Sequence, residues 1–281
     1  MIARRSLLMG ALVVACTRAA PRGRGGVRVV SLSPSTTETV AALGALSSLV
    51  GRSRFCDFPA EVRALPDVGG YVDPNLEAIV ALGPSLVLGA RGPAGRAIAD
   101  ALTARGIDAY FPPADSLADI DAMIAGVGAR LKRDAEARAL IERMRAQRLR
   151  VVARVSAAPS VRALMLFGLQ PIVAAGRSTF AGELLELAGA TNVVIAEGYP
   201  ALDLEAVAAL DPDVIVDAAA ADSHGAEPIA RDAPGWRELR AVKLGRVIDV
   251  SDEAVLRPGP RVVDGLETLA RALHPAVDAA R

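Results

Sequence analysis

The stretch Ser116–Val155, SLADIDAMIAGVGARLKRDAEARALIERMRAQRLRVVARV, decides how the rest of the chain is arranged. Apolar residues fall at Ile120, Met123, Ile124, Val127 and Leu131, and again at Leu140, Ile141, Met144, Val151, Val152 and Val155. Steps of three and four put them on one side of a helix. The charged residues between them, Arg130, Asp134, Glu136, Arg138, Glu142, Arg145, Arg148 and Arg154, are expected to face water. Gly126 and Gly128 are expected to split the stretch in two, with Asp134 capping the second helix. Roughly 20 residues from Asp134 onward, at about 1.5 Å each, span on the order of 30 Å, the width of a small domain. A helix of that length between two similar halves is a strut.

Working outward, both flanks alternate strand and helix. On the amino side, RVVSL at Arg28–Leu32 reads as a buried strand, since its β-branched residues run without polar alternation. Ser35-Thr36-Thr37-Glu38 fits a capping box for a helix ended by Gly44. Leu49-Val50 opens a second strand, followed by the loop Phe55-Cys56-Asp57-Phe58-Pro59. A helix from Leu76 to Leu82, a strand from Ser85 to Gly89, a helix carrying Ile98 and Leu102, and a strand from Ala109 to Phe111 complete this half. On the carboxyl side the pattern returns as a strand at Val161–Phe167, helices at Glu183–Leu187 and Leu204–Leu210, and a strand at Val214–Val216.

The two flanks are more than analogous. NLEAIVALGPSLVL at Asn75–Leu88 aligns without a gap with DLEAVAALDPDVIV at Asp203–Val216, and Leu43-Gly44-Ala45 pairs with Ala188-Gly189-Ala190 in the same order. Two matches in sequence order indicate a duplicated α/β lobe. The expected organisation is a segment 1–26 preceding the body, an N-terminal lobe at 27–115, a helical connector at 116–156 and a C-terminal lobe at 157–281. Each lobe is expected to be Rossmann-like with a parallel sheet, enclosing a ligand cleft outside the carboxyl ends of the strands.

Acids and bases balance at 32 each, so no long-range field attracts nucleic acid, and no basic patch is interleaved with aromatics. At the N-terminus, Arg4-Arg5 precede an apolar run from Leu7 to Ala15, the length of a signal segment and too short to span a bilayer as a mature helix. Both general and twin-arginine export remain open. Only Cys16 and Cys56 occur, so packing rather than disulfides must supply stability. The sequence has no G-x-S-x-G elbow, no P-loop, no G-x-G-x-x-G after a strand and no H-E-x-x-H, and two histidines leave little for a His-based triad or zinc site. An enzyme is therefore not expected.

RVVSLSP at Arg28–Pro34 followed by Thr37-Glu38, the segment Phe55–Pro59, NLEAIVALGPSLVL at Asn75–Leu88, and Ser251-Asp252 with Arg261 together resemble the substrate-binding proteins of ABC importers that have a helical hinge. Within that class the chain is most similar to vitamin B12 binders, with haem and ferric-siderophore binders as close relatives. The resemblance runs from Arg28 to about Leu273. It implies a binding protein without chemistry or cofactor, monomeric and extracytoplasmic, that takes cobalamin or another metal chelate to a permease and its ATPase. Val13-Val14-Ala15-Cys16 resembles a bacterial lipobox, which implies lipidation of Cys16 and a tether from Thr17 to Gly26.

By position in the family, Glu77 and Glu205 are the acids that dock to permease arginines. The ligand positions fall on Pro34, Phe55 or Phe58, Tyr71, Phe167, Tyr199, Asp252 and Arg261. A corrinoid or porphyrin is a broad apolar plate with polar edges, which aromatic walls suit. Arg91, Arg257 and Arg261 are candidates for binding ligand carboxylates. No metal site is expected: His224 lies in a polar loop, Cys56 reads as a packed thiol, and His274 is near the C-terminus and away from any expected site.

Overall fold

The apolar run at Arg28–Leu32 forms a strand covered on both faces. In the computed structural model, which describes residues 26–70, 72–92, 95–219, 228–250 and 252–279, it becomes β1 (Val29–Ser31), buried throughout. There follow α1 (Pro34–Ala42), β2 (Leu49–Arg52), α2 (Leu76–Ala81), β3 (Leu86–Leu88), α3 (Gly95–Thr103) and β4 (Asp108–Tyr110). The four strands make an all-parallel sheet in the order β2-β1-β3-β4.

Two helices, α4 (Leu117–Leu131) and α5 (Asp134–Val155), lead into the second half. It contains β5 (Val161–Leu169), β6 (Ile172–Ala174), α6 (Phe180–Leu187), β7 (Ala190–Asn192), β8 (Ala201–Leu202), α7 (Leu204–Leu210), β9 (Val214–Asp217), α8 (Arg240–Lys243), β10 (Val247–Asp249), α9 (Val262–Leu273) and α10 (Pro275–Ala279). Strands β7, β5, β9 and β10 are parallel and adjacent in that order, the same arrangement as β2, β1, β3 and β4. The second sheet is not purely parallel, as the sequence suggested. The long β5 reverses at Gln170-Pro171, and β6 and β8 extend its far end as antiparallel strands.

The duplication is physical as well as sequential. Asn75 and Asp203 cap α2 and α7 by accepting from the N–H of Ala78 and Ala206 at 3.0 and 2.7 Å. At the far end of the same helices, Arg28 donates to the Leu82 carbonyl at 2.6 Å and Arg162 to the Leu210 carbonyl at 2.7 Å. Each arginine belongs to its lobe's first strand or the residue before it, so each strand's amino end holds the carboxyl end of its neighbouring helix. Gly44 and Gly189, with φ of 69° and 87°, end the helices before β2 and β7.

The connector breaks at Lys132-Arg133, where Lys132 takes a left-handed φ of 57°, and not at Gly126 or Gly128. Both glycines lie inside α4 because they allow close approach. A Cβ on Gly128 would sit 2.6 Å from the Ala137 Cβ of α5, and one on Gly126 would sit 2.1 Å from the Tyr110 hydroxyl. Asp134 is the first residue of α5 and not its cap, while Ser116 and Asp119 form the capping box that opens α4. Part of the charged face also turns inward. Asp121 is buried in α4 and receives Arg145 at 3.0 Å and Arg148 from α5, and Arg154 reaches Glu267 of α9 at 2.9 Å.

Helix α1 departs from expectation in a way that matters for the site. Its cap is Ser33, with Pro34 in the first turn, rather than the Ser35–Glu38 box. Residues Ser35–Val40 are all buried because the helix is covered on every side. Its hydroxyls are satisfied internally: Ser31 and Thr36 lie at 2.8 Å, Thr37 donates to Ser31 at 2.8 Å, and Thr39 donates to the Ser35 carbonyl at 2.7 Å.

One buried apolar cluster continues from Val29 and Val40 through Ile120, Met123 and Met144 to Met165, Leu184 and Leu266. The connector is thus part of the core and not a free arm. Among the described residues no helix is long and apolar enough to cross a membrane.

Candidate functional site

In a parallel sheet the loops after the strands gather at one end, and here the two sets of loops meet. The loop after β10 supplies Arg257, Gly259 and Arg261. A Cβ on Gly259 would lie 3.3 Å from the Ser35 Cα, so this loop sits directly on the amino end of α1. Arg257 Nη1 donates to Glu38 Oε1 at 3.1 Å and to Asp57 Oδ1 at 2.7 Å, and Arg261 Nε donates to Glu38 Oε2 at 3.1 Å. Arg257 also pairs with Glu253. The Arg261 guanidinium lies 4.1 Å from the centre of the Phe58 ring. Carboxylates of the first half and arginines of the second therefore join the two lobes beside an exposed aromatic.

The Glu38 side chain is 2% exposed, which is tolerable only because two guanidinium groups meet its two oxygens. Burial alone would raise the Asp57 carboxyl, but the hydrogen bond and charge of Arg257 outweigh it and hold it below the usual range. From the sequence Glu38 read as part of a cap and as one carrier of the family resemblance, and not as a site residue. Its signal was its company: a hydroxyl-rich helix with almost no apolar stripe, directly after a buried strand.

A second aromatic group lies on the other lobe. Phe167, in the second half of β5, meets Tyr199, before β8, edge to face at 5.3 Å. Tyr199 keeps 41% of its surface exposed. Burial of its hydroxyl end raises its pKa to about 12, helped by the charge of Asp115 and opposed by a hydrogen bond with Thr179. Beside it opens a cavity of about 550 Å³ lined by Asp115, Ser116, Ser178, Thr179, Glu197 and Tyr199. The cavity is bordered by the start of the connector and by loops of the second lobe.

The remaining candidates separate. Pro34 is half-buried at the start of α1, and Phe55 is half-buried with Arg54 at 5.8 Å from its ring centre. Arg91 is exposed just after β3 and makes no ion pair among the described residues. Asp252 accepts from the Ala254 N–H at 2.9 Å and from the Thr268 hydroxyl at 3.4 Å, and so caps a turn. Cys56 is fully buried against Ser53 and Ser31, and burial pushes its thiol up, which suits packing and not ligation. His274 lies at the opposite, amino end of the second sheet, lining a cavity with Ser160 and Asp213. Tyr71, His224, Cys16 and Ser251 lie outside the described residues. Among the described residues no group of three or more His, Cys, Asp or Glu could hold a metal ion.

Glu77 and Glu205 are both exposed, each in the first turn of its helix. Because the carboxyl ends of α2 and α7 are tied to the amino ends of β1 and β5, the first turns lie toward the loop-bearing ends of the sheets. The two acids occupy equivalent places on the two lobes, toward the loop-bearing ends of the sheets.

Residues 29–254 match the model of a family described as periplasmic binding protein. The cobalamin-binding protein of Halobacterium salinarum is 31% identical over 256 residues, spanning 88% of this chain and 69% of that protein. An uncharacterised ABC transporter substrate-binding lipoprotein of Bacillus subtilis is 31% identical over 257 residues, spanning 88% and 80%. Among solved structures, the periplasmic heme-binding protein of Roseiflexus sp. RS-1 in its apo form superposes with a TM-score of 0.78 at 25% identity, covering 90% of this chain and 100% of that one. Lobes of matching topology, a connector built into the core and loops that meet at the carboxyl ends of both sheets agree with these likenesses: the chain belongs to the periplasmic binding protein family.

Proposed function

We propose that this protein is the substrate-binding component of an ABC importer, and that it captures cobalamin or a related corrinoid between its lobes and hands it to a membrane permease. The observation that carries the transport role is the pair Glu77 and Glu205. A helix first turn favours an acid by about 0.3 to 1 kcal/mol, which accounts for either one alone. That preference does not require them to be exposed, equivalent and placed one on each lobe at the cleft end, and docking does. It is a carrier's role, with binding and release in place of catalysis.

The corrinoid is supported by the similarity to a cobalamin-binding protein over most of the chain, and by aromatic surface at Phe55, Phe58, Phe167 and Tyr199. Haem is the alternative, favoured by the likeness to the heme-binding structure. Titration of the purified protein with cyanocobalamin, hemin and a ferric siderophore, followed by absorbance and heat, separates them. Tight saturable binding of cyanocobalamin alone is expected; preference for hemin or siderophore overturns the corrinoid reading.

The lipoprotein relative supports anchoring through Cys16. A Cys16→Ser precursor is expected to fold and bind but to leave the membrane fraction. Unchanged membrane retention removes the anchor.

A further inference from the structure

Arg257 and Arg261 look from the sequence like receptors for ligand carboxylates, yet each is engaged within the chain. Two guanidinium groups face three carboxylates, Glu38, Asp57 and Glu253, and Arg63 at 3.9 Å from Asp57 brings the cluster to balance. Glu38 itself is 2% exposed, so a ligand cannot touch it, and its charge acts through the arginines that it holds. We infer that Glu38 is a specificity-determining residue that closes this side of the cleft to carboxylate-bearing ligands and leaves it open to plates edged with neutral amides.

The argument is one of exchange. A propionate arriving at Arg261 meets a guanidinium already paired with Glu38, which takes Arg261 Nε and Arg257 Nη1 at 3.1 Å each. It would trade one ion pair for another while adding a charge beside three acids, so little is gained against the loss of its own hydration. An amide adds no charge, and can donate to the partly exposed Asp57 or Glu253 or accept from guanidinium N–H groups left over. The contact of Arg261 with the Phe58 ring at 4.1 Å adds to the ion pair in favouring the guanidinium's present orientation. This inference rests on the corrinoid reading for the identity of its neutral ligand, but the role of Glu38 does not depend on which plate is bound.

The test uses the full mature chain and its Glu38→Gln variant with three probes: cyanocobalamin, the monocarboxylates made by hydrolysing its amide side chains, and hemin. Wild type is expected to prefer cyanocobalamin to its monocarboxylates by about tenfold, the scale of one charge-assisted hydrogen bond. Glu38→Gln should bring that ratio near unity and tighten hemin by about tenfold, and adding Arg261→Gln should cancel the gain. Asp57→Asn, which removes a partly exposed member of the cluster, serves if Glu38→Gln does not fold, with a smaller shift in the same direction. A folded Glu38→Gln or Asp57→Asn protein with unchanged ratios overturns the inference. If wild type binds cyanocobalamin and its carboxylates equally, the inference falls and the corrinoid reading stands. If wild type ignores corrinoids but Glu38→Gln acquires hemin, the reading falls and the inference stands. Hemin binding to wild type as tight as any corrinoid overturns both.

Discussion

Tyr199 faces two ways, with its ring on Phe167 at 5.3 Å and its hydroxyl toward Thr179 and Asp115. With 41% of its surface open, it contributes little to the core, so Tyr199→Ala should weaken ligand binding by about 1 to 3 kcal/mol and leave the melting temperature nearly unchanged. Phe167 is half-buried and packs on the main core, so Phe167→Ala should cost both affinity and stability. Paired calorimetry and ligand titration check the contrast; a large stability loss with intact affinity in Tyr199→Ala makes the tyrosine structural. The raised hydroxyl has a consequence in alkali. An unfolded tyrosine ionises near pH 10, whereas the folded one holds its proton to about 12. Above pH 10 the unfolded state loses the proton first, so folding stability is present below that point and falls as pH rises toward 12. Tyr199→Phe should flatten this part of the stability profile, measured by denaturant unfolding at alkaline pH.

At the scale of elements, the contact between α4 and α5 offers a test in which two effects oppose. Alanine is preferred to glycine inside a helix by about 1 kcal/mol. At Gly128 the new methyl would meet the Ala137 Cβ at 2.6 Å and the Arg133 carbonyl at 3.1 Å, neither of which can rotate away. Overpacking should win there, and Gly128→Ala should destabilise by about 1 to 3 kcal/mol. At Gly126 the obstacle is the Tyr110 hydroxyl, the far end of a side chain, so Gly126→Ala should be much milder. Thermal unfolding of the two variants decides it, and equal effects would show that the helices do not approach as closely as described. These glycines also show where sequence reading ends. Periodicity placed both connector helices, because a stripe of apolar residues reports which side is covered. It could not report that Asp121 lies under the stripe's edge as partner to Arg145 and Arg148, since charge does not name its mate. Nor could it find β6 and β8, too short at three and two residues to show alternation, or the inward turn of Glu38. The repeat was legible because caps, turns and strands recur in one order. The aromatic loops were legible as loops, but which lobe-to-lobe contacts they make depends on residues 200 or more positions apart.

At the scale of the molecule, the connector and both lobes share one continuous core, and the arginine cluster ties the lobes a second time at the cleft. Contacts at two places oppose wide opening and closing, which favours recognition by a membrane partner through a surface present whether or not ligand is bound. Glu77 and Glu205, the proposed docking pair, are exposed acids at equivalent positions on the two lobes. Exposed charges facing arginines steer and orient an encounter more than they hold it, and the effect weakens as salt rises. The double change Glu77→Ala and Glu205→Ala should therefore leave ligand affinity intact and folding nearly so, losing only about 0.3 to 1 kcal/mol at each helix start. Transport into cells or vesicles that depend on this protein should fall steeply, with the loss of permease binding greatest at low salt. A drop in ligand affinity would instead place the acids in the cleft. Unchanged affinity together with unchanged uptake would leave the pair with no role beyond its helices, and would favour a scavenger that works without a transporter.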